Sequence, residues 1–384
     1  MDERGLDVVR MPPTAPHPGS LTGQRRTLVT QGVSGGPTRA GGIIAPMNGG
    51  NAELSAGDLT TLAACTPFLG VVGASEEASV RDLAAAWRFL LDLRSARPGV
   101  PAVGRADAFL ASRGLAGGIT RDGSGAWKLH GRPLAGPAED LLDLYLPYCD
   151  NASRQPLAVG HLGQSLDGRI ATESGVSRYV TGPENIVHLH RMRALCDAVV
   201  VGAETVRHDN PLLTTRLVPG DNPVRVVVDP RRRLAPSLQV FTGAEARTLL
   251  ICEERWAREA PPSPCVEVLG VPTVGTHLDL RVLCQILHEA GLRVLFVEGG
   301  GITVSRFLQQ GLLDRLQIAV APIILGSGRH GLTLPVVSTL DEALRPRARI
   351  FRMGRDVLFD CDLRGVGPDD SEVREEVAVA DREP

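Results

Sequence analysis

Three stretches of this chain place polar residues and glycines where apolar runs stop, the positions at which open α/β sheets bind ligands. The clearest is VLFV followed by Glu298, Gly299, Gly300, Gly301, Ile302 and Thr303. Consecutive glycines ahead of a helix leave backbone N–H groups bare at its positive end, which suits a phosphate or pyrophosphate. The spacing is not the G-x-G-x-x-G dinucleotide fingerprint, and the same residues also fit a purely structural turn. A second stretch, from Gly202 to Arg216, follows DAVVV and offers a hydroxyl at Thr205, a carboxylate at Asp209 and a guanidinium at Arg216. It fits a polar ligand, and equally an Asp209–Arg216 surface ion pair worth little. The third is Gln164-Ser165-Leu166-Asp167-Gly168-Arg169, where Asp167 either serves a site or closes a turn onto its own backbone.

Such stretches need a frame that brings strand ends together. Apolar runs at 157–162, 198–201, 224–228, 248–251, 294–297 and 316–321 predict strands, and 183–195, 280–290 and 303–310 predict helices. That alternation implies a largely parallel sheet covered by helices on both faces. The runs 348–352 and 356–363, parted by Met353-Gly354-Arg355, predict an antiparallel hairpin that closes the sheet. The expected class is therefore α/β, three-layered, with a mixed and mostly parallel sheet.

At 384 residues the chain exceeds one ordinary domain. Residues 1–43, rich in Pro, Gly, Thr and Arg, and the acidic tail 365–384 read as disordered. Residues 44–150 read as a small, mostly helical domain with no role legible in its sequence. One helix there presents Val80, Leu83, Ala84, Trp87, Leu90 and Leu91 at spacings of three and four, and a second starts at Pro137 and stops at Pro147. No His-x-Glu or Pro-Cys-x-x-Cys occurs, which argues against a zinc nucleobase deaminase.

The net charge of −3 and scattered arginines disfavour nucleic acid. No apolar run is long enough to cross a bilayer, and the N-terminus lacks a secretory pattern, so the cytoplasm is expected. The cysteines stand singly and His188 and His190 are two apart, off a common helix face, so no metal site is expected.

The three stretches, with SLDGRIATESGVSRYVTG, MRALCDAVVVG, TVRHDNPLLTTR, PVRVVVD, FVEGGG and GLLDRLQIAVAPIILGSG, give 156–364 a specific likeness. The segment resembles the reductase domain of the bacterial riboflavin-biosynthesis deaminase-reductase family. The resemblance implies a dihydrofolate reductase-like fold and NADPH-dependent reduction of 5-amino-6-(5-phosphoribosylamino)uracil, the ribosyl group becoming ribityl. Carried over position by position, Ser177, Arg193, Leu213, Arg216 and Glu298 would contact substrate. Gln164, Tyr179, Thr205, Asp209 and the loop from Gly299 through Gly300, Gly301, Ile302 and Thr303 to Arg306 would contact NADPH. A homodimer sharing the strand around 316–324 is also implied. Alternatives are another pterin-like or pyrimidine substrate, or a nucleotide-binding module without turnover.

On this reading Arg193 and Arg216 hold a sugar phosphate in a fork that lysine could not reproduce. Asp209 and Glu298 are the candidates, unranked, for moving a proton or orienting sugar hydroxyls. Arg231, Arg232 and Arg233 either favour the 2′-phosphate of NADPH or form a solvated loop. His161 stands where relatives often carry lysine, weakening an anion contact there. In place of the deaminase domain stands the unrelated unit 44–150.

Overall fold

In the computed structural model, which describes residues 76–95, 118–121, 127–130, 136–149, 156–178 and 180–364, the apolar runs become one large sheet. Helix α1 (Glu76–Arg94), the hairpin of β1 (Gly118–Arg121) and β2 (Trp127–His130), and α2 (Pro137–Tyr145) come first. Next are β3 (Leu157–Ser165), β4 (Arg169–Thr172), α3 (Pro183–Leu195), β5 (Ala198–Gly202), α4 (Ala203–Asp209) and β6 (Val224–Val228). They lead to α5 (Gln239–Thr242), β7 (Thr248–Glu253), β8 (Val266–Val271) and the short pair β9 (Thr273–Val274) and β10 (His277–Leu278). Last come α6 (Leu280–Glu289), β11 (Val294–Glu298), α7 (Gly301–Gln309), β12 (Arg315–Ala321), β13 (Gly328–His330), β14 (Arg347–Met353) and β15 (Asp356–Asp362).

Nine strands pair in the order β14-β15-β12-β3-β11-β5-β6-β7-β8. All neighbours from β12 to β8 are parallel, while β15 runs antiparallel to both β12 and β14. This is the expected dihydrofolate reductase-like arrangement, a mostly parallel sheet closed by a C-terminal hairpin that turns at Gly354, φ 63°. The edge strand β8 lies outside the runs the sequence marked.

Successive residues of a strand face opposite sides, and here they enter two cores. Ala158, Val200, Leu295 and Val297 pack with Leu283 and Leu287 of α6 and Val304 and Phe307 of α7. Val159, Val199, Val201 and Phe296 pack with Val187, Met192 and Leu195 of α3. Parallel pairing brings the carboxyl ends of β3, β11 and β5 to one edge, with Glu298 opposite His161.

The helices expected to form a small unit of their own share the α3 core. Leu83, Trp87, Leu90, Leu141, Leu142, Leu144 and Tyr145 belong to the same buried cluster as Val187 and Phe296. A stripe of apolar residues announces burial, but not the surface that buries it.

Polar bonds reinforce the seam. The Tyr145 hydroxyl meets His188 Nδ1 at 2.6 Å, and His188 Nε2 meets Gln317 Oε1 at 2.9 Å. Gln317 donates to the Tyr148 hydroxyl (2.8 Å), which donates to Asp360 (3.1 Å). Burial works against the Asp360 charge, yet Arg315 and Arg349 outweigh it and hold its pKa below the usual range. The Gln317 oxygen requires a proton on His188 Nε2, and with the ring neutral its Nδ1 accepts from the Tyr145 hydroxyl, which closes the chain.

Burial lowers the pKa of three histidines on this face, to about 4 at His161 and about 3 at His188 and His190. Unfolded, each titrates near 6.5. Between those values the unfolded chain binds protons that the folded chain refuses, so stability falls as pH drops through that window. The thermal midpoint should be flat above about pH 7 and then decline on acidification, as these groups lower the unfolding free energy by at most about 4 kcal/mol per pH unit. A midpoint unchanged at about pH 5 would mean that these rings are solvated.

Among the described residues no helix is long and apolar enough to cross a membrane.

Candidate active site

Glu298 ends β11, and the two-residue repeat turns its side chain to the α3 side, the side of Phe296. Arg193, in the last turn of α3, meets it there. Arg193 Nε donates to Glu298 Oε2 at 2.9 Å, and Nη2 donates to Oε1, a two-pronged pair with side chains only 7% and 13% exposed. The third nitrogen of the fork, Nη1, donates to Thr214 O at 3.2 Å.

That contact links the pair to the loop carrying Leu213 and Arg216. Leu213 is buried in the left-handed region, φ 55°. The Arg216 N–H donates to His190 Nδ1 at 3.1 Å, so this ring too is held as an acceptor, while Arg216 Nη1 reaches Thr214 Oγ1 at 3.2 Å. Arg216 itself is exposed. Partial burial of its head group and the nearby Arg193 lower its pKa, and Glu298 opposes them.

Beyond Glu298 the chain turns through Gly299, at φ 144°, a conformation that L side chains rarely adopt. The Gly300 N–H donates to Thr205 Oγ1 at 2.8 Å, tying the turn to α4. Helix α7 then starts with no side chain capping it, so its first-turn amides suit an anionic ligand. Gly202 does not open onto a ligand: an added Cβ would lie 2.3 Å from Thr303 Oγ1, so its smallness lets the first turn of α7 approach β5. Gly301 is equally confined, with backbone oxygens of Gly331 and His330 at 2.0 and 2.8 Å from an added Cβ. Gln164 closes that side, its Oε1 2.7 Å from the Cβ that Gly331 lacks.

Ser177 Oγ donates to Asp209 Oδ1 at 3.3 Å. Asp209 and Arg216 form no ion pair with each other. Ile302 is 62% exposed beside the turn, and Tyr179 lies outside the described residues. Asp167 does more than close its own turn. It accepts from the Ser165 hydroxyl and from the N–H groups of Leu325 and Gly326, which lower its pKa to about 2 and pin the loop after β12.

Among the described residues His161 pairs with no carboxylate. It is buried, with Nε2 3.1 Å from Asn185 Oδ1 and its ring 5.3 Å from that of His188. Asn185 did not stand out in the sequence, and His190 did so only with His188, as a metal pair that their spacing argued against. Their signal was polar side chains in a helix buried on almost every face. Of the three arginines after β6, Arg232 donates to the carbonyls of Trp256, Glu259 and Ala260, leaving Arg231 and Arg233 exposed.

Comparison with known proteins decides the lineage. Residues 159–350 match the RibD C-terminal domain. The chain belongs to that family. It is 36% identical over 222 residues to the 2,5-diamino-6-ribosylamino-4(3H)-pyrimidinone 5′-phosphate reductase of Methanothermobacter thermautotrophicus, covering 55% of this chain and all of that one. To the riboflavin biosynthesis protein RibD of Escherichia coli it is 32% identical over 222 residues, covering 54% of this chain and 56% of that protein. The chain thus spans the whole of the archaeal reductase and about half of the longer RibD relative. Among solved structures, form 2 of Acinetobacter baumannii RibD superposes with a TM-score of 0.50 at 25% identity, covering 59% of this chain and 64% of that one. Helices α1 and α2 lie outside the part that the family matches.

Proposed function

We propose that this chain reduces the ribosylamino group of a 5′-phosphorylated aminopyrimidine to ribitylamino, with NADPH as the reductant. The substrate is 5-amino-6-(5-phosphoribosylamino)uracil or the 2,5-diaminopyrimidinone named for the archaeal relative, which differs from it in the substituent at one ring carbon. The observation that carries the reading is the Arg193–Glu298 pair at the carboxyl end of β11, with Arg216 beside it and the glycine turn directly beyond.

The reaction adds a hydride to the sugar carbon bonded to nitrogen, breaks that carbon's bond to the ring oxygen, and places a proton on the oxygen. The nicotinamide supplies the hydride, so the protein needs no covalent nucleophile. Each residue has a task that its partners support. Gly299, Gly300, Gly301, Ile302 and Thr303 line the coenzyme phosphates, with the amides of Gly301 and Ile302 presented to them, while the Gly300 N–H is taken by Thr205, which fixes the turn, and the Thr303 N–H by Gly300 O. Gln164 completes that side, and Tyr179, outside the described residues, is assigned to the coenzyme from the family likeness alone.

Arg216, exposed beside the pair, takes the sugar phosphate. Arg193 cannot share that task in this arrangement, because its fork is engaged by Glu298 and Thr214. Glu298, both oxygens already accepting from Arg193, keeps outward lone pairs that accept from a sugar hydroxyl or ring amine. Asp209, which among the described residues accepts from Ser177 alone, at 3.3 Å, is the freer carboxyl and is assigned the proton. Arg231 and Arg233 sit after β6 where a 2′-phosphate would favour NADPH over NADH.

The test is direct. Purified chain is mixed with NADPH and each of the two pyrimidines, and loss of reduced-nicotinamide absorbance is followed. Saturable turnover of one or both is expected, and coenzyme binding with no turnover of either would leave a binding module and end the reading. A homodimer is part of the same proposal. Ile324, Val336, Val337, Leu340, Leu344 and Ile350 are each exposed and are the side chains a second copy would cover, and a monomeric mass by sedimentation would exclude it.

A further inference from the structure

The loop from Leu212 to Gly220 carries Arg216, and its two ends are held by different parts of the molecule. The near end is fixed within the family-matched segment, by Arg193 to Thr214 O, by the Arg216 N–H to His190 Nδ1, and by Asn222 Oδ1, which accepts from the Thr215 N–H at 2.7 Å. The far end rests on α3 and is also held from outside that segment. Trp87 of α1 donates its indole N–H to Pro219 O at 3.0 Å.

The indole cannot swing away from that carbonyl. It is 3% exposed, packs edge-on to Tyr145 with ring centres 5.9 Å apart, and has the Arg191 guanidinium 5.8 Å from its centre. Next along the loop Gly220, at φ 144°, rests on α3. An added Cβ there would lie 2.6 Å from the Ala194 Cβ and 3.4 Å from Leu91 Cδ2 of α1. Val218, between these anchors, is buried in the shared core.

We propose that α1, through Trp87, is the positioning element for Arg216, so that a helix outside the family-matched segment sets how well this enzyme holds the phosphate of its substrate. The proposal rests on the reading of Arg216 as the phosphate ligand. Its physical basis is tethering: Trp87 adds a fixed point at Pro219 to those at Val218 and Gly220 and so narrows the placements open to an exposed arginine before the substrate arrives.

The experiment uses the full chain with Trp87→Phe, which keeps an aromatic ring in the core and removes the donor. The KM for the 5′-phosphorylated pyrimidine should rise about fivefold, the worth of one hydrogen bond, while kcat and the NADPH KM stay level. The dephosphorylated pyrimidine should show no change in KM. Arg216→Ala should raise the phosphorylated-substrate KM further, and adding Trp87→Phe to it should then have no additional effect.

The two ideas fail separately. Wild-type chain that does not turn over the substrate, or Arg216→Ala with unaltered KM, overturns the assignment of Arg216. A normal response to Arg216→Ala with no response to Trp87→Phe, or an equal response with the dephosphorylated compound, overturns the role of Trp87 alone. If melting shows Trp87→Phe to be poorly folded, the same comparison on Gly220→Ala decides, because a methyl group there lifts the far end of the loop from α3.

Discussion

Glu298→Gln is expected to lower turnover about 100-fold, by misplacing the sugar that Glu298 holds, while leaving affinity for the reduced nicotinamide coenzyme nearly unchanged. The amide is almost the same shape as the carboxylate, so the strand end and the glycine turn beyond it keep their course. What changes is the face presented to Arg193 and to the substrate. One of the two oxygens that accept from Arg193 becomes an N–H₂ group, and N–H then meets N–H across a contact whose side chains are 7% and 13% exposed.

The guanidinium either stays with half a partner or turns away, and its hold on Thr214 O turns with it. Leaving a nearly buried cation without its anion costs about 2 kcal/mol or more, so the thermal midpoint should fall as well. The two losses can be told apart. Single-turnover hydride transfer with both ligands saturating reports the chemistry, and melting reports the fold. A raised pyrimidine KM with intact kcat would make Glu298 a binding group only. Full wild-type kinetics would remove it from the site.

The parts of this molecule that were legible in the sequence are those where one local rule decided the outcome. Pro183 fixes a first helical position, and the helix runs over Pro183–Leu195 as its pattern predicts. The runs at β5 and β6 are valine-rich and central, buried on both faces, which is how a parallel strand reads. Strand β8 escaped because it is an edge: VEVLGV exposes Glu267 and buries only its two end valines.

At the site, strand ends and glycines stood out because a glycine run after an apolar run has few bland explanations. Partnership did not stand out. Helix α3 is buried on nearly all sides, so its sequence has no stripe from which to tell that Arg193 faces Glu298, or that His190 faces the Arg216 loop. Those assignments depend on strand register and helix rotation, which are properties of the packed sheet. The same holds for Trp87, whose burial was legible and whose acceptor, 132 residues away, was not.

Gly301→Ala should be the most damaging of the single-methyl changes. The added Cβ would stand 2.0 Å from Gly331 O and 2.8 Å from His330 O, inside van der Waals contact with backbone that has little room to retreat. Gly331 is bonded through its N–H to Gly168 O at 3.0 Å, β13 is paired with β4, and the Thr333 N–H donates to Ser305 Oγ at 2.9 Å. Overpacking against a segment anchored in this way costs about 2 to 3 kcal/mol, a fall in melting temperature of roughly 3 to 6 °C for a chain of this size. Because β13 and the glycine turn would be pushed apart, coenzyme affinity should drop with it.

Gly300→Ala supplies the contrast. Its φ of −62° is ordinary, and within 4 Å its added Cβ meets only Thr205 Oγ1, at 3.2 Å. The fold should tolerate that methyl with little loss of stability, so weakened coenzyme binding in Gly300→Ala reports a ligand lying against the backbone, whereas the same loss in Gly301→Ala reports the collision within the protein. Calorimetric melting and coenzyme titration of the two variants side by side separate these causes. A Gly301→Ala protein as stable as the wild type would mean that the Gly328–His330 strand does not press on the start of α7, and the glycine turn would then owe its composition to the ligand alone.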